Sequence, residues 1–207
     1  MNDLVTKAKW DKAAKTFDAM SGVGTEKRWA PVKKEFFSRM GDGKILFLAV
    51  GTGLDIASFP PNKDITGIDI SPKMLEQAQP RANSYPGNMT IAEVDVLDMP
   101  YEDNSFDQVF TSCTFCSVPD PVAGLASLCR VLKTGGELHM FEHTGSKIFP
   151  FNVMLNIMTP LTRNLGPEMN RPTQDNVKKA GFSIKEINPI YMDVVKTIHA
   201  EKINRSI

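Results

Sequence analysis

The residues best suited to chemistry begin at a glycine turn. Ile45-Leu-Phe-Leu-Ala-Val-Gly-Thr-Gly-Leu-Asp55 is a hydrophobic run that breaks into Gly51-x-Gly53. Glycines at such a turn let the backbone approach a ligand closely, and the amides around it can donate hydrogen bonds to an anionic or carboxylate group. Asp69 follows in Ile68-Asp-Ile-Ser, at the end of the next apolar run. A carboxylate there is placed to accept hydrogen bonds from both hydroxyls of a ribose. Asp95 ends the third run, in Glu93-Val-Asp-Val, where it could accept from an adenine amino group, and Asp107 opens the fourth. A tight loop with a helix-proximal aspartate would look the same over the first two features. The order of glycine turn, ribose acid, adenine acid and strand start favours a nucleoside ligand.

These positions need a parallel sheet to bring them together. Strand-like and helix-like stretches alternate from about residue 45, as an α/β fold requires. Strands are expected at Ile45–Val50, Asp64–Ile70, Met89–Val94, Gln108–Ser112 and Glu137–Glu142. Ser71-Pro72 and Asp120-Pro121 each read as a capping residue followed by proline at the first helical position. The second of these helices is expected to run to Leu132 and to stop at Thr134-Gly135-Gly136. A helix over Thr173–Ala180 should precede an antiparallel pair, Ser183–Ile190 and Asp193–His199, giving seven strands. Ahead of the sheet, Trp10, Ala13, Ala14 and Phe17 share one side of an amphipathic helix, with Lys9, Lys12 and Lys15 on the other. A second helix carries Trp29, Val32, Phe36 and Phe37. Residues 1–40 therefore read as an N-terminal helical cap and 41–207 as the main domain.

With these motifs in order, the chain resembles the class I S-adenosylmethionine-dependent methyltransferases over nearly its whole length. The resemblance implies a Rossmann-like, mainly parallel seven-stranded sheet with helices on both faces and S-adenosylmethionine as cofactor. It assigns Gly51 and Gly53 to the methionine end, Asp69 to the ribose and Asp95 to the adenine, and it adds Ala49, Ile70, Val96 and Thr111 to the cofactor site. Leu132-Lys-Thr-Gly-Gly136 is similar to the family's turn before the fifth strand, with Thr134 in place of proline. The first motif departs from the pattern: Phe47 stands at the usual acidic position and Ala49 at the first glycine.

Within the family the likeness is to the ubiquinone/menaquinone biosynthesis-like group, through Trp10-Asp-Lys-Ala-Ala-Lys-Thr-Phe-Asp18 and Asp69-Ile-Ser-Pro-Lys-Met-Leu75. Val50-Gly-Thr-Gly-Leu54, Phe115-Cys-Ser-Val-Pro-Asp-Pro121 and Phe141-Glu-His143 are similar both to bacterial phosphatidylethanolamine N-methyltransferases and to animal thiol methyltransferase-like proteins. Gly166-Pro-Glu-Met-Asn-Arg171 and Tyr191-Met-Asp-Val-Val-Lys196 look more like the phospholipid branch. The amine of phosphatidylethanolamine is accordingly the first expectation for the acceptor. A quinone precursor or small thiol, methylated on carbon, oxygen or sulfur, is the second, and a cofactor-binding protein without transfer activity is the competing class.

Methyl transfer from a sulfonium mainly needs the nucleophile held in line, and a base only when that nucleophile arrives protonated. Residues at the carboxyl ends of the fourth and fifth strands face the crevice, which selects Thr111 to Ser117 and Glu142-His143. His143 is the candidate base, since imidazole titrates near neutrality. Glu142 is expected to orient a partner or bind an amine cation, and Tyr191 to place a hydroxyl in an apolar site or simply to pack. Cys113-x-x-Cys116 with His139-x-x-x-His143 does not have zinc-finger spacing, so no metal is expected. The three cysteines, Cys113, Cys116 and Cys129, read as reduced thiols.

Hydrophobic residues make up 42% of the chain and charged residues 23%, enough to bury a core. Lys+Arg and Asp+Glu are 24 each, which argues against a general nucleic-acid binder. No apolar run approaches the ~20 residues of a membrane span, and a cytoplasmic protein is expected. The first 40 residues carry nine basic and five acidic side chains, a local net of +4. That helix, with the apolar stretch Phe149–Leu161 as a possible lid, suggests peripheral contact with an anionic surface such as the inner membrane face.

Overall fold

In a computed structural model, residues 3–22, 25–162 and 168–203 are described. Helices α1 (Leu4–Gly22) and α2 (Thr25–Phe37) lead into β1 (Lys44–Leu48), a single turn at Leu54–Ser58, β2 (Asp64–Asp69), α3 (Pro72–Asn83) and β3 (Asn88–Glu93). Then come β4 (Phe106–Ser112), α4 (Pro121–Val131), β5 (Leu132–His143), α5 (Phe151–Thr162), α6 (Thr173–Lys179), β6 (Phe182–Tyr191) and β7 (Val195–Lys202). The sheet order is β3-β2-β1-β4-β5-β7-β6. β1 to β5 pair in parallel, while β7 is antiparallel to both neighbours, so the sheet is mixed. The hairpin expected from the sequence forms, but its second strand inserts between β5 and the first.

Alternation along β1 sorts the core. Ile45 and Phe47 face α2 and α3, packing with Phe36, Phe37, Leu75 and Ala78. Leu46 and Leu48 face the other side, with Leu125 and Leu128 of α4 and Val177 of α6. Burial on both faces explains why the strands read as continuous apolar runs. Ser71 accepts a hydrogen bond from the Met74 amide and Asp120 from the Ala123 amide, so both Ser/Asp-Pro helix starts form as expected.

Three of the boundaries that differ from expectation have a local cause. β1 stops at Leu48 because Ala49 takes a left-handed φ of 60°. Leu132 belongs to β5, pairing with Phe106 before an irregularity in the ladder, so the helix ends one residue early. β7 starts at Val195 because the chain turns through Met192, at φ 50°, with the Val194 amide bonded to the Tyr191 carbonyl. The sequence boundary after Met40 also does not separate two cores, since Phe36 and Phe37 of α2 are buried in the sheet's own aromatic cluster.

α1 lies across the carboxyl end of the sheet, fastened to α3. Ser71 Oγ donates to Asp11 (2.6 Å), Gln77 Nε2 to the Ala14 carbonyl (2.8 Å), and Arg81 pairs with Asp18 (2.6 Å). Trp10 and Phe17 meet edge to face at 6.2 Å on its inner side, and Lys9, Lys12 and Lys15 lie on the exposed side. Trp10 and Phe17 of this helix line the cavity beneath it, while Leu4 and Val5 at its start are exposed. No described helix is long and apolar enough to cross a membrane.

Candidate active site

In open α/β sheets ligands bind where the strand order reverses, here between β1 and β4. A cavity of about 480 Å³ opens there, within the ~300–1,000 Å³ range of small-molecule sites. The carboxyl ends of β1 to β5 form its floor, and Trp10, Phe17, Trp29 and Lys33 from the two N-terminal helices form its roof.

The glycine turn is built by two different constraints. Gly51, at φ 58°, lines the cavity, and a Cβ built on it would meet no protein atom within 4 Å, so its open side faces the ligand space. Gly53, at φ 84°, is pressed against the backbone of Ala78 at 3.2 Å and does not line the cavity. Its glycine serves the close packing of the turn on α3. Ala49 adopts the left-handed conformation of the glycine it replaces, and still lines the cavity. Phe47 sits edge to face with Phe37 and Phe59 at 5.8 and 5.0 Å, so an apolar cluster fills the position where an acid was expected.

Asp69 is buried at the cavity wall, where its carboxylate accepts from the Gly51 amide (2.8 Å) and the Ser71 amide (2.9 Å). Burial raises its pKa, and those backbone donors oppose the shift. Each oxygen keeps a second lone pair for a hydroxyl. Asp95 accepts from the Leu97 amide (2.9 Å) and from the Asp3 amide at the start of α1 (3.0 Å), so the cap closes directly onto it. Ile70 and Val96 line the same wall.

Of the two neighbours at the end of β5, His143 lines the cavity and Glu142 does not. Successive strand residues point to opposite faces, so only one of the pair can. Glu142 is fully buried behind the wall, accepting from Thr111 Oγ1 (2.8 Å) and from the Thr114 and Phe115 amides (both 3.1 Å). It anchors the loop after β4, and burial raises its pKa to about 7. It is therefore not exposed to an amine cation. Thr111 is the partner in that anchor and is likewise absent from the lining. Tyr191 is outside too: it meets Trp29 edge to face at 6.2 Å, under the Arg28 guanidinium at 4.6 Å. His143 has a pKa lowered by burial and a buried Nδ1 without a hydrogen-bond partner, so it is a neutral imidazole at neutral pH. Cys113 and Cys116 line the cavity, Cys113 exposed and Cys116 buried, and burial pushes the Cys116 thiol up to about 12.

Sequence reasoning missed an ion pair in the cavity wall. Lys33 Nζ lies 2.7 Å from Asp55 Oδ1, with side chains only 7% and 13% exposed, and 5.9 Å from the Phe141 ring. It ties α2 to the turn after Gly53. No local pattern links residues 22 apart, although Trp29 and Lys33 share a helix face and Asp55 closes the glycine motif. Of the stretch Phe149–Leu161 expected as a lid, no described side chain lines the cavity, and Val153, Met154, Ile157 and Met158 are exposed. Glu168 donates its amide to the Cys116 carbonyl (2.8 Å) and Met169 lines the cavity, while Gly166 and Pro167 of the phospholipid-like segment lie outside the described residues.

Comparison with known proteins agrees with this geometry. Residues 46–140 match the methyltransferase domain family. A demethylmenaquinone methyltransferase of Symbiobacterium thermophilum is 35% identical over 143 residues, 64% of this chain and 57% of that protein. The ubiquinone/menaquinone biosynthesis C-methyltransferase UbiE of Geobacter sp. is 32% identical over 126 residues, 58% of this chain and 54% of that one. The chain thus spans little more than half the length of these relatives. A solved S-adenosylmethionine-dependent methyltransferase of Thermotoga maritima, 16% identical, covers 95% of this chain and 99% of its own with a TM-score of 0.70, and so shares the fold. The glycine turn facing open space and the two carboxylates at successive strand ends all fall inside the span 46–140 that is similar to the methyltransferase domain family, on a fold shared with a solved S-adenosylmethionine-dependent methyltransferase.

Proposed function

We propose that the chain methylates a ring carbon of a quinone precursor in its reduced, hydroxyl-bearing form. The observation that carries this reading is the cavity itself: an aromatic-walled space with a single imidazole, His143, in its lining. Trp10, Phe17, Trp29 and Phe141 supply flat apolar walls for an aromatic acceptor. The carboxylates of Asp55 and Glu142 are engaged within the protein, Asp55 with Lys33 and Glu142 with its own loop. Both relatives described above are named for quinone substrates, which also favours this over phosphatidylethanolamine.

Asp69 and Asp95 would hold the nucleoside of the cofactor and Gly51 its methionine end, and S-adenosylmethionine when bound supplies an activated methyl group. The protein's own residues supply the rest. The imidazole of His143 takes the proton from the acceptor's hydroxyl, which raises electron density at the neighbouring ring carbon; once methylated, that carbon gives up its own hydrogen as a proton, which returns to the ring oxygen and restores the aromatic hydroxyl. α1, seated on Asp95 and α3, keeps water out of the cavity.

The test offers reduced demethylmenaquinone or phosphatidylethanolamine, each in detergent, with methyl-labelled S-adenosylmethionine, after calorimetry has established cofactor binding. Label should enter the quinol, and His143→Ala should lower that turnover by ~10²–10⁴ with cofactor affinity nearly unchanged. Label in the phospholipid refutes the acceptor reading, and cofactor binding without transfer to either supports a binding protein.

A further inference from the structure

A second cluster of ligating side chains lies on the α2 face of the sheet, away from the cavity at its carboxyl end. His139 of β5 and His199 of β7 are directly paired across the antiparallel ladder, and Glu137 lies two residues before His139 on the same face. The two imidazoles are parallel to within 3° with centroids 4.6 Å apart. Both Nε2 atoms lie 3.2 Å from the Glu137 carboxylate, His139 at Oε2 and His199 at Oε1. The three ligand atoms fall within 4.8 Å of one another.

Two observations set this apart from an ordinary hydrogen-bonded histidine pair. His199 Nε2 is buried and makes no hydrogen bond, although Glu137 Oε1 lies 3.2 Å away. A separate cavity of about 140 Å³, between the end of α2 and strands β5 to β7, is lined by both histidines, leaving room for an ion and a water. The competing partners are accounted for: Gln108 Nε2 donates to Glu137 Oε2 (2.6 Å), and Glu186, opposite His199, is taken by Arg39 (2.7 Å).

We propose that Glu137, His139 and His199 form a binding site for a divalent transition metal, zinc being the best match. Zinc bonds of ~2.0–2.1 Å place neighbouring tetrahedral ligands about 3.3 Å apart, close to the separations between the carboxylate and each imidazole. Two imidazoles and one carboxylate suit this class of ion, with water completing four-coordination. Binding requires the stacked rings to tilt toward one point, and the cavity that both line is the space beside them. The ion would clip β7 to β5 across the seam where the sheet changes from parallel to antiparallel. This site is independent of the methyltransferase reading.

The test is a titration of the tag-free chain with zinc alone against a chromophoric chelator, with melting temperature as a second readout. Wild type should bind one ion per chain and melt higher with zinc. His199→Ala and Glu137→Gln should each weaken binding at least as much as the ~10–100-fold that loss of an outer-shell partner costs, and lose the melting shift. Equal affinity in wild type and both variants overturns the site. So does zinc binding that survives them but disappears in Cys113→Ser.

Discussion

The buried pair of Lys33 and Asp55 permits a sharp energetic test, because it joins the cap to the ligand-binding turn. At 2.7 Å and an effective dielectric of ~20, the attraction is about 6 kcal/mol, most of it offset by desolvation of two ions with side chains 7% and 13% exposed. The net worth of the pair is therefore small, whereas removing one partner leaves the other charged in a dry wall. Lys33→Met and Asp55→Asn should each cost ~3–5 kcal/mol of folding stability. Lys33→Met also gives up the ammonium 5.9 Å from the Phe141 ring, a further ~0.5–1 kcal/mol. The double variant should lose clearly less than the sum, with a coupling energy toward the upper end of the ~0.5–3 kcal/mol seen for contacting residues. Urea denaturation of the four proteins at pH 7 measures the cycle. Single variants within ~0.5 kcal/mol of wild type, or strictly additive losses, would show that the pair is solvated and that α2 is not held to the turn by charge.

Other consequences follow from the same site. Asp69→Ala removes the acceptor of the Gly51 and Ser71 amides and should weaken S-adenosylmethionine binding by ~1.5–3 kcal/mol in calorimetry on folded protein; unchanged affinity would reduce Asp69 to a turn anchor. Glu142, with its folded pKa raised to about 7, holds a proton that the unfolded chain has lost. Its contribution is fully present below the unfolded value of ~4.5 and is lost as pH rises through about 7, amounting to ~3 kcal/mol over that window. Urea midpoints should show that decline in wild type and a flatter profile in Glu142→Gln, and identical profiles would contradict it. Ala49→Gly relieves a left-handed alanine costing ~1–2 kcal/mol against ~0.5–1 of extra unfolded-state entropy, so stability should rise by up to about 1 kcal/mol; a loss would mean the Ala49 methyl packs productively.

Local pattern determined much of this protein. The alternation of runs and caps placed seven strands, the Ser71 and Asp120 helix starts and the final hairpin, because strand period, capping chemistry and turn residues act within a few positions. The glycine turn and the carboxylates at Asp69 and Asp95 were legible for the same reason: a parallel sheet puts every strand's carboxyl end on one edge. Facing was partly legible too, since adjacent Glu142 and His143 cannot share one side of a strand. Which of them met the cavity depended on the register of β5 against β4 and β7, which no local signal carries. Long-range placement decided the rest. The insertion of β7 between β5 and β6 brought His199 opposite His139, and the packing of α2 on the glycine turn brought Lys33 to Asp55. The apolar side of α1 had two possible destinations, lipid or protein, which amphipathic spacing describes identically. The hydrogen bonds and ion pair that seat its Trp10 and Phe17 over the cavity join residues 60 or more positions apart, beyond the reach of any local spacing.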